Sequence, residues 1–273
     1  MVSHASAYVH GYAPEERIRL EDQASALANM LHGGTTFAPG TRILEVGCGV
    51  GAQTVTLAGN SPQAQITAID ISAPSLAAAA ERVRKSGLTN VRFIQANLFD
   101  LPFGPASFDH IFVCFVLEHL ARPLEALRCI REVLRPGGTI TVIEGDHGTA
   151  CLHPESAAAR KAIGALVALQ AANGGDANIG RRLYPLLVEA GFREIEVSLP
   201  IIHSDGSRPD VADIFTRRTF IAMVEGAREQ AVSCGLIDAE SFEEGLNALD
   251  RAAGSEGTFS YTFAKATART RRA

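Results

Sequence analysis

The sequence predicts an α/β protein built on a doubly wound sheet, and three observations carry that expectation. Short apolar runs alternate with helical patterns from Thr41 to Glu144. One run opens into glycines at alternate positions, Gly47, Gly49 and Gly51, and another is preceded by Pro136-Gly137-Gly138, which ends a helical stripe. Strands that alternate with helices pair in parallel, because each helix carries the chain back across a face of the sheet. The 273 residues, 47% hydrophobic and 20% charged, bring enough apolar side chain for such a core.

Ahead of the sheet, Leu20, Ala24, Leu27 and Leu31 recur at helical spacing and predict an amphipathic helix. The predicted strands are Arg42–Val46, Ile66–Ile69, Val91–Gln95, Asp109–Cys114 and Thr139–Glu144. Ser72 caps a helix with Leu76, Ala79, Ala80 and Val83 on one face, which stops at Gly87. Leu124, Leu127, Ile130 and Leu134 form the next apolar stripe. Further on, Pro154 to Ala172 and Arg181 to Ala190 read as helices, and Glu194–Leu199 and Thr258–Lys265 as strands. The second of those strands alternates Phe259, Tyr261 and Phe263. Between them lie two helical patterns, one through Val211, Ile214, Phe215 and Phe220, the other through Phe242, Leu246, Leu249 and Ala253. A connection of that length generally has a task, and covering a site is the task expected here. The expected division is a helical cap over 1–40, a core over 41–200 with a helical insertion at about 148–180, a helical lid over 201–257, and a final strand and tail over 258–273.

A net charge of −5 argues against a general nucleic-acid binder, and Arg269, Arg271 and Arg272 read as a solvated end. The five cysteines (Cys48, Cys114, Cys129, Cys151 and Cys234) are scattered without a C-x-x-C pair, so neither a disulfide framework nor a thiolate zinc site is expected. No stretch approaches the roughly 20 apolar residues that span a bilayer, and no signal-peptide pattern opens the chain. A cytoplasmic location follows as the expectation, with no membrane or nucleic-acid partner.

The chemistry concentrates in Ile43-Leu44-Glu45-Val46-Gly47-Cys48-Gly49-Val50-Gly51, which runs from a strand through three glycines into a helix starting near Ala52. Glycine there lets the chain turn tightly and leaves no Cβ between backbone and ligand. Asp70 ends the next strand, where its two oxygens can accept both hydroxyls of an adenosine ribose. NAD and S-adenosylmethionine (SAM) both carry that ribose. Spacing separates them, because Glu45 stands two positions before Gly47 and gives E-x-G-x-G-x-G, not the dinucleotide G-x-G-x-x-G. A loop with no pyrophosphate to bind faces the amino-acid end of SAM, whose ammonium suits an acidic neighbour.

With these residues the chain resembles the class I SAM-dependent methyltransferases, in the branch of the ubiquinone and menaquinone biosynthesis C-methyltransferases and many bacterial small-molecule methyltransferases. The resemblance runs from about Thr41 to Glu144 and continues in order. It includes Gln95-Ala96-Asn97-Leu98 with Leu101-Pro102-Phe103, Phe108-Asp109 through Cys114-Phe115-Val116-Leu117-Glu118-His119, and Leu134-Arg135-Pro136-Gly137-Gly138. It implies a Rossmann-like seven-stranded sheet with the last strand antiparallel, Glu194–Leu199 and Thr258–Lys265 being strands six and seven. It also implies SAM as cofactor and S-adenosylhomocysteine as product. The positions it assigns to the cofactor are Tyr12, Glu45, Gly47, Cys48, Gly49, Gln53, Asp70, Ile71, Ala96, Asn97, Leu98, Cys114 and Phe115. The family usually has aspartate where Asn97 stands; asparagine keeps a carbonyl to accept the adenine amino group. Tyr8-Val9-His10-Gly11-Tyr12 is similar to the segment that folds over the cofactor in bacterial members, where a tyrosine face would meet the sulfonium. Packing of the first helix is the other reading of these tyrosines.

Methyl transfer from a sulfonium is an in-line displacement in which the protein mainly aligns and desolvates the partners. A nucleophile that carries a proton gains from a base. His147 is the first candidate and His119 the second, followed by Glu144, Asp146 and His203. The plainer readings are a helix start at His119 and loop positions for His147 and His153. Asp146, His147 and His153 lack metal-ligand spacing, so no metal is expected. The Phe- and Ile-rich lid suggests a small apolar or aromatic acceptor. The methylated atom stays open, as does the choice between monomer and homodimer. Two other functions stay open: an NAD-dependent oxidoreductase, and a non-catalytic SAM-binding scaffold.

Overall fold

A computed structural model describes Leu27 and residues 30–272, so Tyr8, Tyr12, Leu20 and Ala24 lie outside the described residues. The first half of the chain alternates as its periodicity predicts: β1 (Arg42–Val46), α1 (Ala52–Asn60), β2 (Gln65–Asp70), α2 (Ala73–Lys85), β3 (Val91–Gln95), β4 (Phe108–Cys114), α3 (Pro123–Glu132) and β5 (Leu134–His153). The Ser72 hydroxyl caps α2 by accepting the Ser75 N–H at 3.3 Å. The second half holds α4 (Ala157–Ala172), α5 (Leu183–Glu189), β6 (Arg193–Ser198) and β7 (Ile201–Asp205). A helical run over residues 209–226 follows (α6), π-helical across Ala212–Ile221, then α7 (Arg228–Ser233), α8 (Ala239–Ala252) and β8 (Thr258–Arg269). Among the described residues no helix is long and apolar enough to cross a membrane.

The strands order as β3-β2-β1-β4-β5-β8-β6, with β7 also on β8. β1 to β5 pair in parallel, and β8 runs antiparallel to β5, β6 and β7. Successive residues of a strand face opposite sides, so both faces need cover. Ile111 and Val113 of β4 pack with Leu127, Ile130, Leu183 and Leu187. Phe112 and Cys114 pack on the other face with Leu31, Ile43 and Leu57.

Two features depart from the predicted sheet. The sixth position is shared by two segments, because Ser198 faces Lys265 and Ile201 faces Thr262, which sets β6 and β7 end to end along one side of β8. Pro200 interrupts them, having no N–H to give the ladder, while its carbonyl accepts from the Phe263 N–H at 2.9 Å. The sheet is therefore eight-stranded, in seven lanes. The second departure is β5, which begins within Leu134-Arg135-Pro136-Gly137-Gly138 and continues past Glu144 to His153. It pairs with β8 from Thr139↔Arg269 to His153↔Thr258, with a break between Asp146 and Cys151. His147 and His153 are thus strand residues, not loop residues: β8 pairs with His153 across from Thr258, and His147 lies in the break of that ladder, where its N–H donates to the Ala177 carbonyl at 3.0 Å.

Past the carboxyl end of the parallel strands, helices and extended strands continue this second face of the core. Leu152, Phe215, Phe220, Phe242, Leu249, Phe259 and Tyr261 are all buried in it. α4 and α8 approach closely at Gly245, where an added Cβ would lie 2.6 Å from the Ala162 Cβ.

Candidate active site

The turn after β1 shows why glycine recurs there. Gly47, Gly49 and Gly51 have φ of 67°, 52° and 77°, a region that side chains with a Cβ rarely enter. Gly51 also brings α1 against α2, since a Cβ would sit 2.9 Å from Ala79 Cα. Gly49 has open space where its Cβ would be, leaving its backbone approachable. Its N–H donates to Asp70 Oδ2 at 2.8 Å, and the Ser72 N–H donates to Asp70 Oδ1 at 2.9 Å. Asp70 therefore braces the loop with one lone pair of each oxygen and keeps others for a diol.

Behind the loop sits a group of buried polar atoms that find no hydrogen-bond partner of good geometry among the described residues: Glu45 Oε2, Gln53 Oε1 and both ring nitrogens of His32. Burial pushes the Glu45 carboxyl up to about 8, against the nearby Thr54 hydroxyl and with the Asp70 charge adding. Burial holds the His32 imidazole down at about 4. A buried carboxylate with an orphaned oxygen calls for a cation or a donor, and the ammonium of an amino acid answers both. On the outer side, Ile71, just past the end of β2, is an apolar side chain 59% exposed. The Gln95 side-chain amide donates to the Ile71 carbonyl at 3.0 Å, and the Ala96 N–H to the Asp70 carbonyl at 3.1 Å. Asn97 Oδ1 accepts the Phe99 N–H at 3.0 Å, so the carbonyl expected to meet adenine already closes its own turn with one lone pair.

Across the loop, β4 ends in Cys114 and Phe115. Burial pushes the Cys114 thiol well up. Phe115 has φ of 57°, in the left-handed region that costs a bulky residue of order 1–3 kcal/mol. Glu144 on β5 stabilises this turn: its Oε1 accepts the Val116 N–H at 3.1 Å and the Leu117 N–H at 2.7 Å. Val116 in turn fills the space left by Gly47, where a Cβ would meet its Cγ2 at 2.6 Å. His119 Nε2 lies 3.4 Å from Glu118 Oε1. The Glu118 carbonyl accepts from the Gln170 side chain at 2.9 Å and the Asp176 N–H at 2.8 Å, which ties this turn to the insertion.

Residues 44–142 match the family described as a methyltransferase domain. Over 134 residues the chain is 31% identical to 27-O-demethylrifamycin SV methyltransferase of Amycolatopsis mediterranei, an overlap of 49% of this chain and 49% of that one. Over 106 residues it is 33% identical to demethylmenaquinone methyltransferase of Listeria welshimeri, covering 38% of this chain and 45% of that one. The chain thus spans half or less of the length of these curated relatives. Among solved structures, its fold is similar to that of the [4+2]-cyclase SpnF, with a TM-score of 0.58 and 22% identity over 92% of this chain and 82% of that one. Over residues 44–142 the chain is thus similar to methyltransferase domains, and the fold around that segment is similar to theirs.

Within and beside residues 44–142, the predicted residues divide. Glu45, Gly47, Cys48, Gly49, Gln53, Asp70 and Ile71 gather around the glycine turn, Ala96, Asn97 and Leu98 follow β3, and Cys114 and Phe115 end β4. His147 is buried on the β5 extension, its Nδ1 2.8 Å from the Tyr261 hydroxyl. Asp146 is engaged by Arg181 through both oxygens, at 2.7 and 2.6 Å, and so is not available as a base. His203 does not reach inward: it is exposed on β7, 3.1 Å from Asp205. Among the described residues, no three of His, Cys, Asp and Glu stand together to hold a metal. Tyr261 and Arg181 were missed as site residues, because one reads as strand alternation and the other as a helix start. His32 carries a signal only in retrospect, as a polar residue one step past the apolar repeat ending at Leu31.

Proposed function

We propose that the chain transfers the methyl group of SAM to a small molecule held where β4 and β5 meet the helices α4, α6 and α8. The observation that carries this reading is the pair of carboxylates at the glycine turn. Asp70 is braced by the Gly49 and Ser72 amides toward a diol, and Glu45 is buried with an oxygen that lacks a partner among the described residues. SAM carries a ribose diol and an ammonium, and NAD offers no counterpart to the second. The bound cofactor supplies the activated methyl; the chain binds it, orients the acceptor and excludes water. Phe115 stands 5.7 Å from Phe263, which continues through Tyr261 and Phe220 as an aromatic wall. That wall supports an apolar or aromatic acceptor, with residues 201–257 serving as the lid. The likeness to a cyclase is a reminder that a fold hosts more than one chemistry, so the transfer step needs its own assay.

Calorimetry with SAM and S-adenosylhomocysteine, with NADH as control, tests the cofactor. Micromolar SAM affinity, about −8 kcal/mol, is expected, with no heat from NADH. Asp70→Ala should weaken SAM roughly 10- to 100-fold, the worth of a charged hydrogen-bond pair, with circular dichroism unchanged. NADH binding in place of SAM would restore the oxidoreductase. SAM binding with no transfer from radiolabelled SAM to any acceptor in a broad panel would favour the scaffold.

A further inference from the structure

We propose that the cleft at the amino ends of β1 to β4 binds the phosphate group of a small organic phosphomonoester, with Arg92 as its bidentate ligand. This inference does not rest on the methyltransferase reading, which places its chemistry at the other end of the same strands.

Arg42, Gln65, Val91 and Phe108 are the first residues of these strands, and with their neighbours they line a cleft of about 300 Å³. The length of β1 separates it from the glycine turn by roughly 15 Å, at about 3.3 Å per residue. Two arginines, Arg42 and Arg92, line the cleft, and no carboxylate does. That local excess of positive charge stands in a chain whose net charge is −5. Asp109, beside Phe108, does not cancel it, because it is shared. Its Oδ2 accepts the Arg42 backbone N–H at 2.8 Å and Nε–H at 3.2 Å, and Arg135 Nε lies 2.7 Å from its Oδ1.

Arg92 is held ready for an oxyanion. It stands opposite Thr67 in the β2–β3 ladder, and the buried Thr67 hydroxyl accepts its Nε–H at 2.7 Å. That bond orients the guanidinium plane and uses one of its five N–H donors. The remaining four, on the two Nη atoms, form the fork that meets two oxygens of a phosphate. Arg42 gives its Nε and Nη2 to Asp109 and the Ala106 carbonyl, which leaves Nη1 and a second charge beside the cleft. The border is built in advance: the Asn90 side-chain amide donates to the carbonyls of Ala58, Ser61 and Ala64 at 3.4, 3.0 and 3.2 Å. It thereby ties the turn before β3 to the turn before β2, so the cleft need not be ordered when a ligand arrives. A phosphomonoester carries about −1.5 to −2 charges at pH 7, which matches two arginines, whereas a carboxylate carries one. Ile66, Val91 and Phe108 also line the cleft and give it an apolar side that a bare phosphate ion would not use.

Calorimetry on the full chain in phosphate-free buffer, with phenyl phosphate, inorganic phosphate and benzoate as probes, tests this. Phenyl phosphate should bind most tightly, because it alone offers both the dianion and an apolar carrier. Arg92→Gln should weaken it roughly 10- to 100-fold, the worth of hydrogen bonds to a charged group. Arg92→Lys keeps the charge without the fork and should recover only part of the loss; full recovery overturns the bidentate role. No heat from phenyl phosphate at millimolar concentration overturns the proposal, as does an affinity unchanged in Arg92→Gln. Inorganic phosphate or benzoate binding as tightly as the ester overturns it too. Saturating S-adenosylhomocysteine should leave the affinity for phenyl phosphate unchanged. An affinity that shifts with it would put the ligand at the glycine turn and not in this cleft, and that measurement needs no variant.

Discussion

Glu144 aims its carboxylate at backbone amides of the turn after β4, with the Glu118 N–H at 3.4 Å alongside those of Val116 and Leu117. Burial pushes its pKa well up, with the Glu118 charge adding and these amides opposing. Removing the side chain strands two or three buried donors beside a residue in the left-handed region. Glu144→Ala should therefore lower stability by about 2–5 kcal/mol in urea unfolding. Glu144→Gln keeps an acceptor oxygen and should recover most of that loss; an equal loss in both would mean that charge, not acceptance, holds the turn. At this scale the sequence was informative where chemistry is local. The positive φ at Gly47, Gly49 and Gly51 and the strand-end place of Asp70 follow from residue type and spacing. The amide partners of Glu144 lie 26 to 28 positions away, and nothing near it announces them.

Among the elements, α4 and α8 make the sharpest test. An added Cβ at Gly245 would lie 2.6 Å from Ala162 Cβ and 2.8 Å from the Ala158 carbonyl oxygen, so the helices touch backbone to backbone. Gly245→Ala should cost about 1–3 kcal/mol through overpacking, despite the better helix propensity of alanine. Gly164, also on α4, has nothing within 4 Å of its missing Cβ. Gly164→Ala should instead add about 0.5–1 kcal/mol. If both variants shift the thermal midpoint the same way, the close approach is wrong. The helical stripe through Phe242, Leu246 and Leu249 was legible in the sequence and its partner α4 was not. The same holds for β7, hidden by Pro200, and for the β5 extension, whose strand partner among the described residues is β8.

For the molecule as a whole, buried charge ties stability to pH and to the cofactor. The folded chain keeps the Glu45 proton up to about 8, whereas a free carboxyl releases it near 4.5. The unfolded state thus binds fewer protons in that window, and stability falls as pH rises through it. Imidazoles work the other way: burial holds His32 near 4 and His110 near 3, against 6.5 unfolded, so their contribution is lost as pH falls from 6.5. Above 6.5 the carboxyls act alone, and the chain without cofactor should lose roughly 2 kcal/mol between pH 6.5 and 8. An ammonium placed beside Glu45 favours its charged form, so SAM binding near pH 7 should release a proton. Calorimetry in buffers of different ionisation enthalpy measures that release, and Glu45→Gln should abolish it. Binding with no proton released would remove Glu45 from the ammonium.

The sequence by itself determined the alternation of β1 to β5 with their helices, the glycine turn, the carboxylates at Glu45 and Asp70, and the family they resemble. Each depends on chemistry within a window of a few residues: periodicity, caps, and backbone angles only glycine tolerates. The tertiary structure alone decided that His147 is a buried strand residue on Tyr261, 114 positions away, that Arg181 closes off Asp146, and that His203 faces outward. Those outcomes depend on which distant strand supplies a pairing edge, and a contact across so long a stretch of chain leaves no local mark.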